Sequence, residues 1–172
     1  MGSDVLLIAP SSVVDDISGS RINMESTSPP LGLLYIAAML MKHGYSVKVL
    51  DMNSELIRTR ERLRRYLKGA QPDLIGISTL TPTFKSIVDI ADVCKSELPN
   101  SPMALGGYFA TFNHDRILSK YKCFDFVARR EGEETATELV KELDKSKPNY
   151  SKIKGLTYRN NGHVKVNEER PM

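Results

Sequence analysis

The side chains able to do chemistry in this chain gather in a few short turns. Ser78-Thr79-Leu80-Thr81-Pro82-Thr83 is rich in hydroxyls, each able to donate and accept hydrogen bonds. Thr83, just before Phe84, also suits a helix cap. Gly106-Gly107-Tyr108 offers two residues without a Cβ, fit for a tight turn or for close approach to a ligand. Pro29-Pro30-Leu31-Gly32 opens an apolar run, and Pro is favoured in the first turn of a helix. In Arg129-Arg130-Glu131-Gly132-Glu133-Glu134 the acids complement a helix N-terminus. These types support binding rather than bond-making. The chain carries no G-x-G-x-x-G, no G-K-[ST], and no dense Ser/Thr/Gly phosphate loop of the kind a flavin-binding module would use. An acidic residue closing the third strand, which phosphoacceptor chemistry requires, is also missing. His43, His114 and His163 are scattered, and Cys94 and Cys123 lie far apart, as buried thiols in a reducing cytoplasm would.

The elements that must position these turns alternate between strand and helix. Short apolar runs at 4–9, 46–51, 73–79, 102–106 and 124–128 read as five buried strands. Helical periodicity covers Leu33 to Met41, Glu55 to Lys68, Phe84 to Leu98, Asn113 to Lys120 and Glu133 to Lys145. The alternation predicts an α/β, doubly wound, flavodoxin/Rossmann-like five-stranded parallel sheet in the order 2-1-3-4-5. Residues 155–167 predict a C-terminal β-hairpin turning at Asn160-Asn161-Gly162, since Asn and Gly tolerate positive φ. The expected organisation is an α/β domain over 1–150, then hairpin and linker over 151–172. In a doubly wound sheet ligands bind at the carboxyl ends of the strands, where the hydroxyl and glycine turns fall. A loop of about twenty residues follows the first strand, a length that usually marks function or mobility.

Composition limits the partners. The chain has 172 residues, 41% of them hydrophobic and 26% charged, with net charge +3 and pI ≈ 8.8. That balance is too weak for nucleic acid. No run approaches the roughly 18 apolar residues of a membrane span. The arginine run from Arg58 to Arg65 reads as a solvated helix face.

Ser78-x-Leu80 and Gly106-Gly107, separated by residues 81–105, resemble two of the three motifs of cobalamin-binding domains. In that family a serine hydroxyl meets a ring nitrogen of the buried nucleotide base, and the glycines leave room for it. The third motif is D-x-H-x-x-G. Counting back from the helix end at 42–45 puts Gly32 on its last glycine, Thr27 on the Asp and Pro29 on the His. Proline cannot ligate a metal, so the lower axial ligand of cobalt is absent. The stretches PPLGLLYIAAMLMKHGYSVKVLD, PDLIGISTLTPTF, LGGYFAT, FVARREGEE and IKGLTYRNNGHVKVNEERP resemble, in order, the N-terminal cobalamin-binding domain of radical SAM enzymes.

The resemblance implies cobalamin held base-off at Pro29, Leu31, Gly32, Ser78, Thr79, Leu80, Thr81, Thr83, Gly106, Gly107, Tyr108, Glu131, Gly132 and Glu133. It implies presentation of the cofactor to a radical SAM domain of the same full-length protein. S-adenosylmethionine and a [4Fe-4S] cluster are implied only for that domain, and methyl transfer for the two together. The family's C-x3-C-x2-C is nowhere in these residues, so this chain alone is not expected to be catalytic. Arg130 stands where the family's R-G-E-G-E has glycine, which puts the local backbone in question. Two alternatives compete: a vestigial scaffold whose slot is filled by side chains, and a binding module for a smaller ligand such as a flavin.

Overall fold

A computed structural model of the chain describes residues 4–10, 13–15, 21–23, 29–53, 57, 59–80 and 84–171. The strands are β1 (Asp4–Ala9), β2 (Val13–Asp15), β3 (Arg21–Asn23), β4 (Ser46–Asp51), β5 (Leu74–Ser78), β6 (Met103–Gly106), β7 (Phe126–Ala128), β8 (Leu156–Asn160) and β9 (His163–Val166). The helices are α1 (Leu31–Lys42), α2 (Arg60–Leu67), α3 (Phe84–Glu97), α4 (Tyr108–Lys120) and α5 (Glu133–Leu143).

The main sheet runs β4-β1-β5-β6-β7-β8-β9. Its parallel part is the expected 2-1-3-4-5 order, and Ile75 pairs with Met103 and Ser78 with Gly106 across β5 and β6. The C-terminal hairpin joins the same sheet antiparallel through β7, with Val127 opposite Thr157. Asn161 and Gly162 take φ of 49° and 81°, the two positive angles a two-residue hairpin turn needs. In the long loop after β1, β2 and β3 pair antiparallel, Val14 opposite Ile22.

Alternation along the strands builds two apolar layers. Leu6, Ile8, Ile75, Ile77, Met103, Leu105 and Val127 point to α2, α3 and α4. Val5, Leu7, Leu74, Ala104 and Phe126 point to α1 and α5. The first set is bulky throughout, whereas the second shrinks toward the strand ends. Cys94 is fully buried in the first layer, and burial pushes its thiol up to about 12.

Two helices begin elsewhere than their periodicity indicates. The expected start at Glu55 lies outside the described residues; α2 begins at Arg60, where the Thr59 hydroxyl caps it by accepting the Arg62 N–H, and Ile57 lies outside the helix. α4 starts at Tyr108 rather than Asn113. Asn113 instead marks a break inside it (φ −124°, ψ 16°), its side-chain amide donating to the Phe109 carbonyl at 2.9 Å. That interruption hides the first turn from a periodicity reading.

Candidate functional site

Small residues carve a slot on the α1/α5 face of the sheet. Gly76 sits beside Leu7 on one side and Ala104 on the other, and Ser78 beside Gly106 one row further on. On this face the side chains of β5 and β6 shrink toward the strand ends, from Leu74 to Gly76 to Ser78 and from Ala104 to Gly106. Ile77 and Leu105 point the other way, so a depression opens beyond the Leu7 and Leu74 layer. Ile36 and Leu40 of α1 and Ala136 and Leu139 of α5 form the walls. The resulting cavity has a volume of about 450 Å³, and its walls are mainly apolar. That is the size range of small-molecule sites. A slot filled by side chains, which the scaffold alternative required, is not what this packing forms.

The glycines at the mouth have different jobs. A Cβ on Gly32 would have nothing within 4 Å, and one on Gly106 only the Ala128 carbonyl at 3.9 Å, so both glycines leave free volume in the cavity. Gly107 does not. Its φ is +91°, and a Cβ there would lie 2.6 Å from the Thr79 carbonyl oxygen. The glycine pair therefore divides: Gly106 keeps the slot open, Gly107 lets the chain turn tightly against β5.

Thr79 is wholly buried and belongs to that turn. Its hydroxyl donates to the Gly106 carbonyl at 2.8 Å and accepts the Ala110 N–H at 3.0 Å, bracketing the end of β6 and the first turn of α4 to β5. The turn holds Ser78 on the cavity wall, half-buried.

The charged side of the mouth comes from the turn after β7 and from the C-terminal segment. Arg129 is 5% exposed and donates to the Asn167 carbonyl. Burial lowers its pKa, Glu169 opposes that, and the neighbouring Arg130 charge adds to it. Arg130, where the resembled turn has glycine, takes the left-handed conformation, with φ 61°. Its N–H donates to the Thr111 hydroxyl at 2.9 Å and its guanidinium pairs with Glu169 at 2.7 Å. Arg170 anchors the same segment to α5 through Glu134 and Glu138.

Of the residues singled out from sequence, Gly32, Ser78, Gly106, Gly107, Tyr108, Glu131, Gly132 and Glu133 line this cavity. Pro29, Leu31, Thr79 and Leu80 do not; Leu31 and Leu80 are 62% and 54% exposed at the same end of the sheet. Thr27, Thr81 and Thr83 lie outside the described residues. His114, on α4, is not among the lining residues; its Nδ1 lies 3.1 Å from the Thr157 hydroxyl. Among the described residues no cluster of three or more His, Cys, Asp or Glu could hold a metal. Sequence reading missed Gly76, Ala104, Ala128, Phe112, Arg130 and Glu169 as lining residues. The small residues at alternate strand positions were a usable signal for the first three; nothing local marks Glu169.

A family model described as the B12 binding domain matches residues 18–140. The chain is 33% identical over 147 residues to an uncharacterized methyltransferase of Pyrococcus horikoshii, covering 86% of this chain and 31% of that protein. It is 32% identical over 155 residues to the anaerobic magnesium-protoporphyrin IX monomethyl ester cyclase of Synechocystis, covering 90% and 31%. The chain thus spans under a third of these curated relatives. Its fold is similar to that of the cobalamin-dependent S-adenosylmethionine radical enzyme OxsB, solved with aqua-cobalamin and S-adenosylmethionine bound. The TM-score is 0.80 at 23% identity, over 99% of this chain and 23% of that one.

Proposed function

The chain belongs to the B12 binding domain family, and from that premise we propose that it binds cobalamin base-off and presents it to a radical SAM domain. The observation that carries the reading is the slot itself. Its floor of small residues, Gly76, Ala104, Gly106 and Ala128, between α1 and α5 suits a flat aromatic base on a narrow tail. Around its mouth Tyr108 and Phe112 are 76% and 79% exposed, an apolar rim of the kind a macrocycle covers. Ser78 offers a hydroxyl to the buried base, and Thr79 with Gly107 holds that serine in place. Pro29, where the resembled loop has histidine, offers cobalt no side-chain ligand.

Bound cobalamin supplies cobalt-centred methyl or electron transfer, while the protein supplies position, exclusion of water and the choice of axial ligand. Methyl transfer, with S-adenosylmethionine and an iron–sulfur cluster supplied by a radical SAM domain, is the activity proposed for the pair; the Pyrococcus horikoshii relative is named a methyltransferase.

The test is direct. The chain is mixed with hydroxocobalamin, desalted, and its visible spectrum and melting temperature recorded. Ligand at about a hundred times its dissociation constant stabilises by about 2.7 kcal/mol. In a chain of this length that raises the melt by about 5–10 °C. Retained corrinoid with a base-off spectrum supports the proposal; colourless protein with an unmoved melt refutes it.

A further inference from the structure

Arg130 stands where the resembled turn has glycine, and it takes a backbone angle that costs any residue with a Cβ. Strained backbone of this kind is held by its surroundings and concentrates at functional sites. Here the hold is visible: the Thr111 hydroxyl accepts the Arg130 N–H, and both residues line the slot. The guanidinium ends at the mouth, where the Glu169 carboxylate lies 2.7 Å from Arg130 and 3.7 Å from Arg129. An oxyanion therefore already sits between two arginines at the entrance. Arg129, almost wholly buried, still has an Nε without a hydrogen-bond partner. Among the described residues that line the slot, Glu131 and Glu133 repel an anion, and Arg130, with Arg129 behind it, is the cationic part of the mouth. Glu169 is 58% exposed at its side chain and Arg130 41%. An ion pair this wet is weak and readily exchanged.

We propose that Arg130 is a specificity-determining residue that binds the phosphodiester of cobalamin's nucleotide tail, displacing the Glu169 carboxylate from the slot mouth. This rests on the cobalamin reading above. The phosphodiester is the one anionic group of that tail, and guanidinium recognises phosphate with paired, charge-assisted hydrogen bonds. Arg130 thereby selects complete corrinoids over those lacking the nucleotide.

The experiment compares hydroxocobalamin with cobinamide, which has the corrin ring but neither nucleotide nor phosphate, by calorimetric titration of the 172-residue chain. Arg130→Gly relieves the backbone and Arg130→Gln keeps its bulk, so the pair separates charge from folding; melts of both confirm the fold. Both variants are expected to weaken cobalamin about tenfold to a hundredfold, the range of a lost charged hydrogen bond, and to leave cobinamide unchanged. Glu169→Gln is expected to tighten cobalamin alone. Equal weakening of both corrinoids, or no change for cobalamin, overturns the role of Arg130 while leaving the cobalamin reading intact. Failure of the unaltered chain to bind either corrinoid overturns the cobalamin reading, and this inference with it.

Discussion

Adjacent glycines at 106 and 107 should respond to substitution in opposite ways. At Gly106 a Cβ has only the Ala128 carbonyl nearby, at 3.9 Å, an ordinary contact. Leucine there projects into the apolar cavity, and burying most of its side chain contributes about 1.5 kcal/mol. Replacing a strand glycine adds about 0.5 kcal/mol. Gly106→Leu should thus stabilise the ligand-free chain by about 2 kcal/mol, raising its melt by about 4–8 °C. The same side chain occupies the slot, so the shift induced by hydroxocobalamin should vanish. At Gly107 φ is +91° and a Cβ would lie 2.6 Å from a backbone oxygen that cannot move aside cheaply. Gly107→Ala should cost at least about 2 kcal/mol, and the melt should fall by at least about 4 °C. Thermal melts of both variants with and without hydroxocobalamin make the assay. The reasoning is refuted if Gly106→Leu destabilises as much as Gly107→Ala, or if it keeps the full ligand shift.

Two further outcomes follow from the hydrogen bonding. Thr79→Val removes a buried hydroxyl that serves the Gly106 carbonyl and the Ala110 N–H, and strands the latter. A loss of about 2 kcal/mol is expected from denaturant unfolding; a change under about 0.5 kcal/mol, the level of an ordinary surface substitution, would sink the bracket role. Burial lowers the pKa of His114 below its ordinary 6.5, with Arg129 adding to the effect and Asp115 and Glu169 opposing it. Below pH 6.5 the unfolded chain therefore binds a proton that the folded chain resists, so stability is full above that pH and declines as pH falls toward the folded pKa. Melts at pH 7.5 and 5.5 should differ less in His114→Gln than in the unaltered chain; an equal difference would rule out this histidine as a source.

Much of this molecule was written locally. Continuous apolar runs such as 4–9 mark strands buried on both faces, and in a right-handed crossover fold their alternation with helices leaves few topologies. The parallel order, the hairpin turn at Asn161-Gly162 and the turns that gather at one end of the sheet were all legible for that reason. Helix starts were less so. Thr59 and Gly107 set them through single hydrogen bonds and one backbone angle, which leave no periodic trace.

What the sequence could not determine is which way the small residues face and what meets them across space. Gly76 and Ala104 open a slot only because register sets them side by side on the α1/α5 face. Gly106 and Gly107 look alike in sequence, yet one borders a void and the other the Thr79 backbone. Glu169 reaches the mouth of a site built 39 residues earlier because Arg129 and Arg130 hold the last segment there. Local pattern fixes the elements, since hydrophobic period and turn chemistry act over a few residues. The cavity and its charged entrance arise from contacts between segments far apart in the chain, and only the folded arrangement decides those.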